Sequence, residues 1–265
     1  NNSNNNNNEI LFISNRDSSE LERMETIDYS YVISTRIQSS RNIKGYSFSP
    51  TITSSDRLNL EYLITTSLEK MKGEFTGYYY SLSNLASADK DFFVTNRLLL
   101  TPTSLSDNIN RDWPDGRGIF NNNSAEFAIW VNGLDHLCII SQNTGGDISS
   151  VFEDWITAIN GIEVCLSSNQ LEFEQDLYLG YLTTSLCDIG SGFHASMIIN
   201  LPNLTQNTIQ LSSKCNELNL CPNKCNINES NYSWEISTRG TLGKSEVEIT
   251  QQLIDGISQL ILYEK

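Results

Sequence analysis

The chain has 265 residues, 38% of them hydrophobic, enough to bury a sizeable core as one large domain or two small ones and too apolar for a disordered acidic tail. Its 17 Lys+Arg against 32 Asp+Glu give a formal charge of −15 with no local cluster of bases. That excludes a nucleic-acid partner held by phosphate neutralisation and demands a dedicated set of arginines of any nucleotide ligand. Charged residues are only 18% of the chain, below the roughly 25% of an average domain, and Asn, Ser and Thr supply the missing polarity. No apolar run approaches the ~20 residues that span a bilayer, so membrane insertion is not expected. The chain begins at Asn1, so any targeting segment would already be gone.

Residues 1–28 open on NNSNNNNN and read as a low-complexity lead or linker. A short β-like run follows at Tyr31, Val32 and Ile33, with Arg36 after it. Beyond Pro50, Ser54 or Ser55 caps a helix with Leu60, Ile64, Leu68 and Met71 on one face and Gly73 as its stop. Two strands, Phe127 to Val131 and Leu137 to Ile140, are separated by a hairpin-sized connection. Gly145-Gly146-Asp147 is a turn, lacking the rest of a phosphate-loop pattern, whose Asp caps a helix with Phe152, Trp155, Ile159 and Ile162 inward. Further strands fit Phe193 to Leu201 and Ser233 to Ser237. The last helix opens on a capping box, Ser245 to Glu248, and presents Ile249, Leu253, Ile257 and Leu260. The Asn- and Ser-rich stretches 104–110, 121–124 and 203–231 read as solvated surface. Strands at hairpin spacing interrupted by long helices predict an α+β domain with an antiparallel sheet.

Six cysteines are too sparse for a disulfide-dense module. Cys138 and Cys165 read as small core residues; Cys187, Cys215, Cys221 and Cys225 sit in more polar surroundings. A disulfide among Cys215, Cys221 and Cys225 stays open. With no CxxC pair and only His136 and His194, zinc is not expected. The sequons at Asn203 and Asn231 carry little weight in a chain this rich in Asn, Ser and Thr.

Several motifs resemble one family in order and spacing. Tyr31-Val-Ile-Ser-Thr-Arg36, Arg41 to Tyr46, Gly73 to Tyr79, Trp113-Pro-Asp-Gly-Arg-Gly-Ile119, Trp130-Val-Asn132, Asp135-His-Leu137, Gly145-Gly-Asp147, Ala195-Ser196 and Asp255-Gly-Ile257 are similar to the catalytic domain of guanidino (phosphagen) kinases. The resemblance covers 29–265 and implies about eight antiparallel strands flanked by helices. It also implies that the family's small N-terminal helical domain is absent. The family moves the γ-phosphoryl of MgATP to a guanidino nitrogen, chemistry that rests on positioning and charge neutralisation.

Matched residue by residue, the resemblance leaves most of that machinery empty. Of five phosphate arginines only Arg36 is kept. The others fall on Gln38, Cys138, His194 and Asn223, the last in a glycine-rich loop that here reads Cys221 to Cys225, with Lys224 one residue off. The first catalytic carboxylate falls on Leu134 and the second on Asn228, next to Glu229. The reactive cysteine falls on Ser185, with Cys187 two residues away, and the adenine-side histidine on Asp91.

The residues' plainer roles are expected instead: a structural salt bridge for Arg36, a hydrogen-bonded structural histidine at His136, no base at His194, no hydrolase at Ser185 or Cys187, and core positions for Trp113, Trp130 and Trp155. The expectation is therefore a catalytically inactive guanidino kinase-like domain, needing no cofactor, that serves as a scaffold among protein partners inside the cell, in a ciliary, cytoskeletal or mitochondrial setting. The alternative is a divergent phosphotransferase using MgATP, acting on a guanidino group in a protein. A secreted, disulfide-containing binding domain is the third option.

Overall fold

The computed structural model describes residues 28–102, 107–122, 124–225 and 233–265. Ten strands and five α-helices alternate along them. In chain order they are β1 (Val32–Arg41), α1 (Ser54–Leu68), β2 (Tyr78–Ser81), α2 (Ser87–Thr95), β3 (Gly118–Asn121), β4 (Phe127–Val131), β5 (Leu137–Thr144), α3 (Ile148–Ser167), β6 (Gln175–Asp176), β7 (Gly180–Tyr181), β8 (Phe193–Asn200), α4 (Thr208–Glu217), β9 (Leu220–Lys224), β10 (Ser233–Thr238) and α5 (Glu246–Glu264). Eight strands form one antiparallel sheet in the order β2-β3-β4-β5-β1-β8-β10-β9, and β6 pairs with β7 as a separate hairpin. The α+β class and its antiparallel sheet are as expected.

Side chains alternate across a strand, and the register turns that alternation into two different surfaces. One row runs Phe120, Ile129, Ile139, Ser39, Phe193 across β3, β4, β5, β1 and β8. It faces the helices, where α3 lies over β5 and β1 and α5 over β8 and β10. All five of these residues are buried, and Trp155 from α3 packs against Phe193 at 4.8 Å while its Nε1 donates to Ser39 Oγ at 3.0 Å. The neighbouring row, Ala128, Ile140, Gln38 and His194, faces the other way. Its apolar end joins a smaller cluster with Phe93, Leu98, Leu100 and Ile119, and its polar end opens into a cavity.

The helix starts follow local chemistry. Asp147 accepts from Ser150 N, after a turn at Gly145 whose φ of +89° suits glycine, and the capping box at Ser245 and Glu248 is formed. Several expectations shift. The cap of α1 is Thr53, which accepts from Asp56 N, not Ser54 or Ser55, and the helix ends at Leu68, ahead of Gly73. The run at Tyr31 is a 3₁₀ turn; the strand starts at Val32 and continues to Arg41, because it is paired on both sides, by β5 and β8.

The stretch 203–231 is not all solvated loop. It holds α4, anchored by buried Leu211 and Cys215, and the edge strand β9, which pairs with β10. Cys221 to Lys224 is therefore strand in place of a glycine-rich loop. Cys215 is fully buried, contrary to its polar reading, and Cys138 is only partly buried because its position on β5 faces the cavity side. All six cysteines are free thiols. Trp155 is core, whereas Trp130 and Trp113 are partly exposed: the first donates Nε1 to Leu98 O at 2.9 Å, and the second covers the Arg117 guanidinium at 5.1 Å.

Candidate active site

The cavity on the face opposite the helices has a volume of about 620 Å³. Its floor is set by three sheet rows. Gln142, Arg36, Ser196, Ser237 and Cys221 lie side by side across β5, β1, β8, β10 and β9. Gln38 and His194 flank them on one side, Glu235 and Asn223 on the other. Thus four positions named from the sequence, Arg36, Gln38, His194 and Asn223, are brought together with Cys187, which also lines the cavity. Cys138 lies on β5 opposite Ser40, and Leu134, Ser185 and Asp91 do not line the cavity. Asn228 and Glu229 lie outside the described residues.

Arg36 does not form the expected salt bridge. Its Nε and Nη2 donate to Gln142 Oε1 at 2.8 and 2.5 Å, and Nη2 also donates to Arg97 O at 2.8 Å. The Gln142 amide is in turn held by Asn96 O and Ala125 O at 3.1 and 2.6 Å. Burial, followed by the charge of Arg97, lowers the Arg36 guanidinium to about 10. The ion pair of this site is instead Arg97 with Glu235 at 2.8 Å, and Ser196 Oγ donates to the other Glu235 oxygen at 3.2 Å. His194 Nε2 donates to Asp188 Oδ1 at 2.7 Å. Burial pushes the Cys138 thiol up to about 12, Asp135 adding to the effect, so it is a neutral thiol and no thiolate nucleophile.

Sequence reasoning missed Arg97, Asp188, Glu235 and Arg239, all of which line the cavity. For Glu235 a signal existed: within the strand expected from Ser233 to Ser237, it shares the face of Ser237, opposite Trp234 and Ile236. Arg97 carries no such signal, because a positive φ of 57° at the end of α2 brings it to the sheet. His136 is structural as expected. Its Nδ1 accepts from Ile43 N at 3.0 Å, Nε2 donates to Ser47 O at 3.1 Å, and burial lowers it to about 4, leaving it neutral. Beside it, buried Asp135 accepts from Asn42 Nδ2 and Thr184 N, both at 2.7 Å. The pair pins the β4–β5 connection to the ends of β1 and of the segment before β8.

An antiparallel sheet with helices on one face and a polar, arginine-bearing cavity on the other is the α+β architecture of the phosphagen kinase catalytic domain. The chain belongs to the ATP:guanido phosphotransferase family: the model of its C-terminal catalytic domain matches residues 59–265. Over 248 residues the chain is 30% identical to the testis isozyme of creatine kinase from Oncorhynchus mykiss and 32% identical to creatine kinase B-type from Gallus gallus, with 91% of this chain covered in each case. It spans 64% and 65% of the length of those two enzymes. Among solved structures, lombricine kinase superposes with a TM-score of 0.83 at 30% identity, covering 94% of this chain and 70% of that one. The duplicated taurocyamine kinase from Schistosoma mansoni with bound transition state analog components gives 0.75 at 29% identity, covering 88% of this chain and 32% of that one.

Proposed function

We propose that this domain is a catalytically inactive member of its family, kept as a rigid structural module in a larger protein assembly and needing no cofactor. The observation that carries the reading is the charge arrangement of the cavity. Arg36 Nε and Nη2 are engaged by neutral oxygens, Arg97 is paired with Glu235 and His194 is held by Asp188, while Arg36 and Arg239 are the cavity arginines for which no ion pair is seen among the described residues. Two carboxylates, Asp188 and Glu235, line the same cavity and would repel a triphosphate placed there, which supports the reading without MgATP.

Each hydrogen bond to a charged group contributes roughly 1.5 to 3 kcal/mol. Exchanging four arginines for Gln38, Cys138, His194 and Asn223 therefore removes on the order of 6 to 12 kcal/mol, against about 8 kcal/mol for a micromolar site. Catalysis suffers further, because an arginine on a transferring phosphoryl group is worth about 10³ to 10⁵ in rate. The competing reading, a divergent MgATP-dependent phosphotransferase acting on protein arginine, draws on Arg97 and Arg239, which supply two cavity arginines outside the matched positions. Calorimetric titration with MgATP at neutral pH separates the two. The inactive reading expects no micromolar binding and no phosphoryl transfer to arginine or creatine; micromolar binding sinks it.

A further inference from the structure

Arg97, just past the C-cap of α2, has a φ of +57°. That left-handed conformation costs a non-glycine residue energy and persists only where the surroundings fix it. They do so from several directions. The Arg97 amide donates to Val94 O at 3.0 Å, and its carbonyl accepts from Arg36 Nη2 at 2.8 Å. On either side, Asn96 O accepts from Gln142 Nε2 at 3.1 Å and Leu98 O from Trp130 Nε1 at 2.9 Å. The backbone is thus clamped to β1, β5 and β4, and the clamp carries one guanidinium out over the sheet.

That guanidinium crosses to β10, where Nη2 meets Glu235 Oε2 at 2.8 Å while Glu235 Oε1 accepts from Ser196 Oγ at 3.2 Å. Ser196 lies opposite Arg36 in the sheet register, so the carboxylate reaches the row that holds Arg36. The Glu235 charge favours the Arg36 cation and the Arg97 charge opposes it, which makes Glu235 a counter-ion shared by both arginines. A carboxylate that accepts from a guanidinium and a hydroxyl, beside a second guanidinium, makes the contacts a bound oxyanion would take. Arg97 also lines a neighbouring hollow of about 420 Å³ with Ser34, Asn96, Gln142 and Asn143, so its side chain stands as a bar between two spaces. The paired side chains are 33% and 21% exposed, open enough to water for the pair to exchange partners.

We infer that the Arg97–Glu235 pair is an autoinhibitory contact: Glu235 is a tethered anion that occupies the cavity's arginines, and a free oxyanion such as a phosphate group enters only by displacing it. A plain structural tie between α2 and β10 accounts for less. The backbone at 96–98 is already held by Arg36, Gln142 and Trp130, so the ion pair is not needed to anchor it, and the strained φ gains a purpose only from where it sends the guanidinium. The inference rests on the inactive reading for a cavity shut to phosphate in the resting protein. Micromolar MgATP binding by the parent would remove that reading, whereas the latch is judged on ratios of affinity between variants.

The test titrates the whole chain with inorganic pyrophosphate in a calorimeter at fixed salt. Glu235→Gln, which keeps the side chain's size and an acceptor for Ser196, should raise affinity at least about tenfold by freeing Arg97 for the ligand. Asp188→Asn removes the same charge from the same cavity without freeing an arginine, and should gain no more than about threefold. In an Arg97→Gln background, Glu235→Gln should likewise gain no more than about threefold, the cycle isolating the contact between the two residues. Glu235→Ala is the second variant should Glu235→Gln fold poorly, with the same ratios expected. Unchanged affinity on removing Glu235, an equal gain in Asp188→Asn, or a gain that persists without Arg97 overturns the proposal. So does a large loss of stability with no gain in affinity, because the pair would then be a structural tie.

Discussion

On β1, Ile37, Ser39 and Arg41 look towards the helices, while Arg36, Gln38 and Ser40 look into the cavity side, and the two sets are built differently. The helix-facing residues are all fully buried, and their polar groups are engaged: Ser39 by Trp155, and Arg41 by Ser40 O and Ser191 O at 2.8 Å each, with its guanidinium 3.6 Å over the Tyr181 ring. The cavity-facing residues are only partly buried. One strand thus separates fold from chemistry at single-residue spacing. Substitutions on the first face cost stability, whereas the second can lose its charged groups and leave the sheet intact.

The largest effect is expected from Trp155→Ala. It removes a fully buried aromatic from its contacts with Phe152 and Phe193 and deprives Ser39 of its partner, so a loss of about 3 to 5 kcal/mol is expected in urea unfolding. A loss below about 1.5 kcal/mol would show that the helix-facing core is not the dominant support, and would break the contrast.

Next comes acid. His136 is lowered from 6.5 to about 4 in the folded state by burial, so the unfolded chain takes up its proton first. Its contribution is fully present above pH 6.5 and is lost as pH falls towards 4, by roughly 3 kcal/mol in all. Buried Asp135 is shifted upward by its own burial. It takes up a proton in the folded state before it does in the unfolded chain, and opposes part of that loss at the acid end. Stability measured against pH should therefore fall between 6.5 and 4, and His136→Gln should flatten the fall; an unchanged slope would place the acid sensitivity elsewhere.

Where the sequence was legible, apolar spacing and capping chemistry coincided. The faces of α3 and α5, the Asp147 cap and the Ser245 box follow from periods and side chains within one segment. What stayed hidden depends on partners far along the chain. Thr35, Ser39 and Arg41 occupy inward positions of β1 as polar residues, which masks the strand's alternation and truncates its apparent length. The helix α4 buries only Leu211 and Cys215, too few to stand out among Asn and Ser. Arg36, Gln38 and His194 were recognisable because the motifs Tyr31 to Arg36 and Ala195-Ser196 stand beside them, and Asn223 by ungapped matching alone, while Asp188, Arg97 and Arg239 reach the cavity through loop and turn geometry that no local pattern encodes. The pairing of Arg97 with Glu235 spans 138 residues of chain, and only the folded sheet reveals that two carboxylates, Asp188 and Glu235, share the cavity with its arginines.

The smallest effect on stability, and the sharpest test of the cavity side, is expected from returning charge to it. Gln38 and His194 are cross-strand neighbours on β1 and β8, both open to the cavity, and Asp188 stands ready to pair with an added guanidinium. Gln38→Arg with His194→Arg should change unfolding free energy by no more than about 1 kcal/mol, since neither site is tightly packed. If the loss of arginines is what emptied the site, each restored contact is worth roughly 1.5 to 3 kcal/mol, an affinity gain for pyrophosphate of about tenfold to a hundredfold per arginine in calorimetry. Destabilisation beyond about 2 kcal/mol would mean the cavity side is packed as firmly as the helix side. Unchanged affinity at preserved stability would mean that Asp188 and Glu235, more than the missing arginines, keep phosphate out.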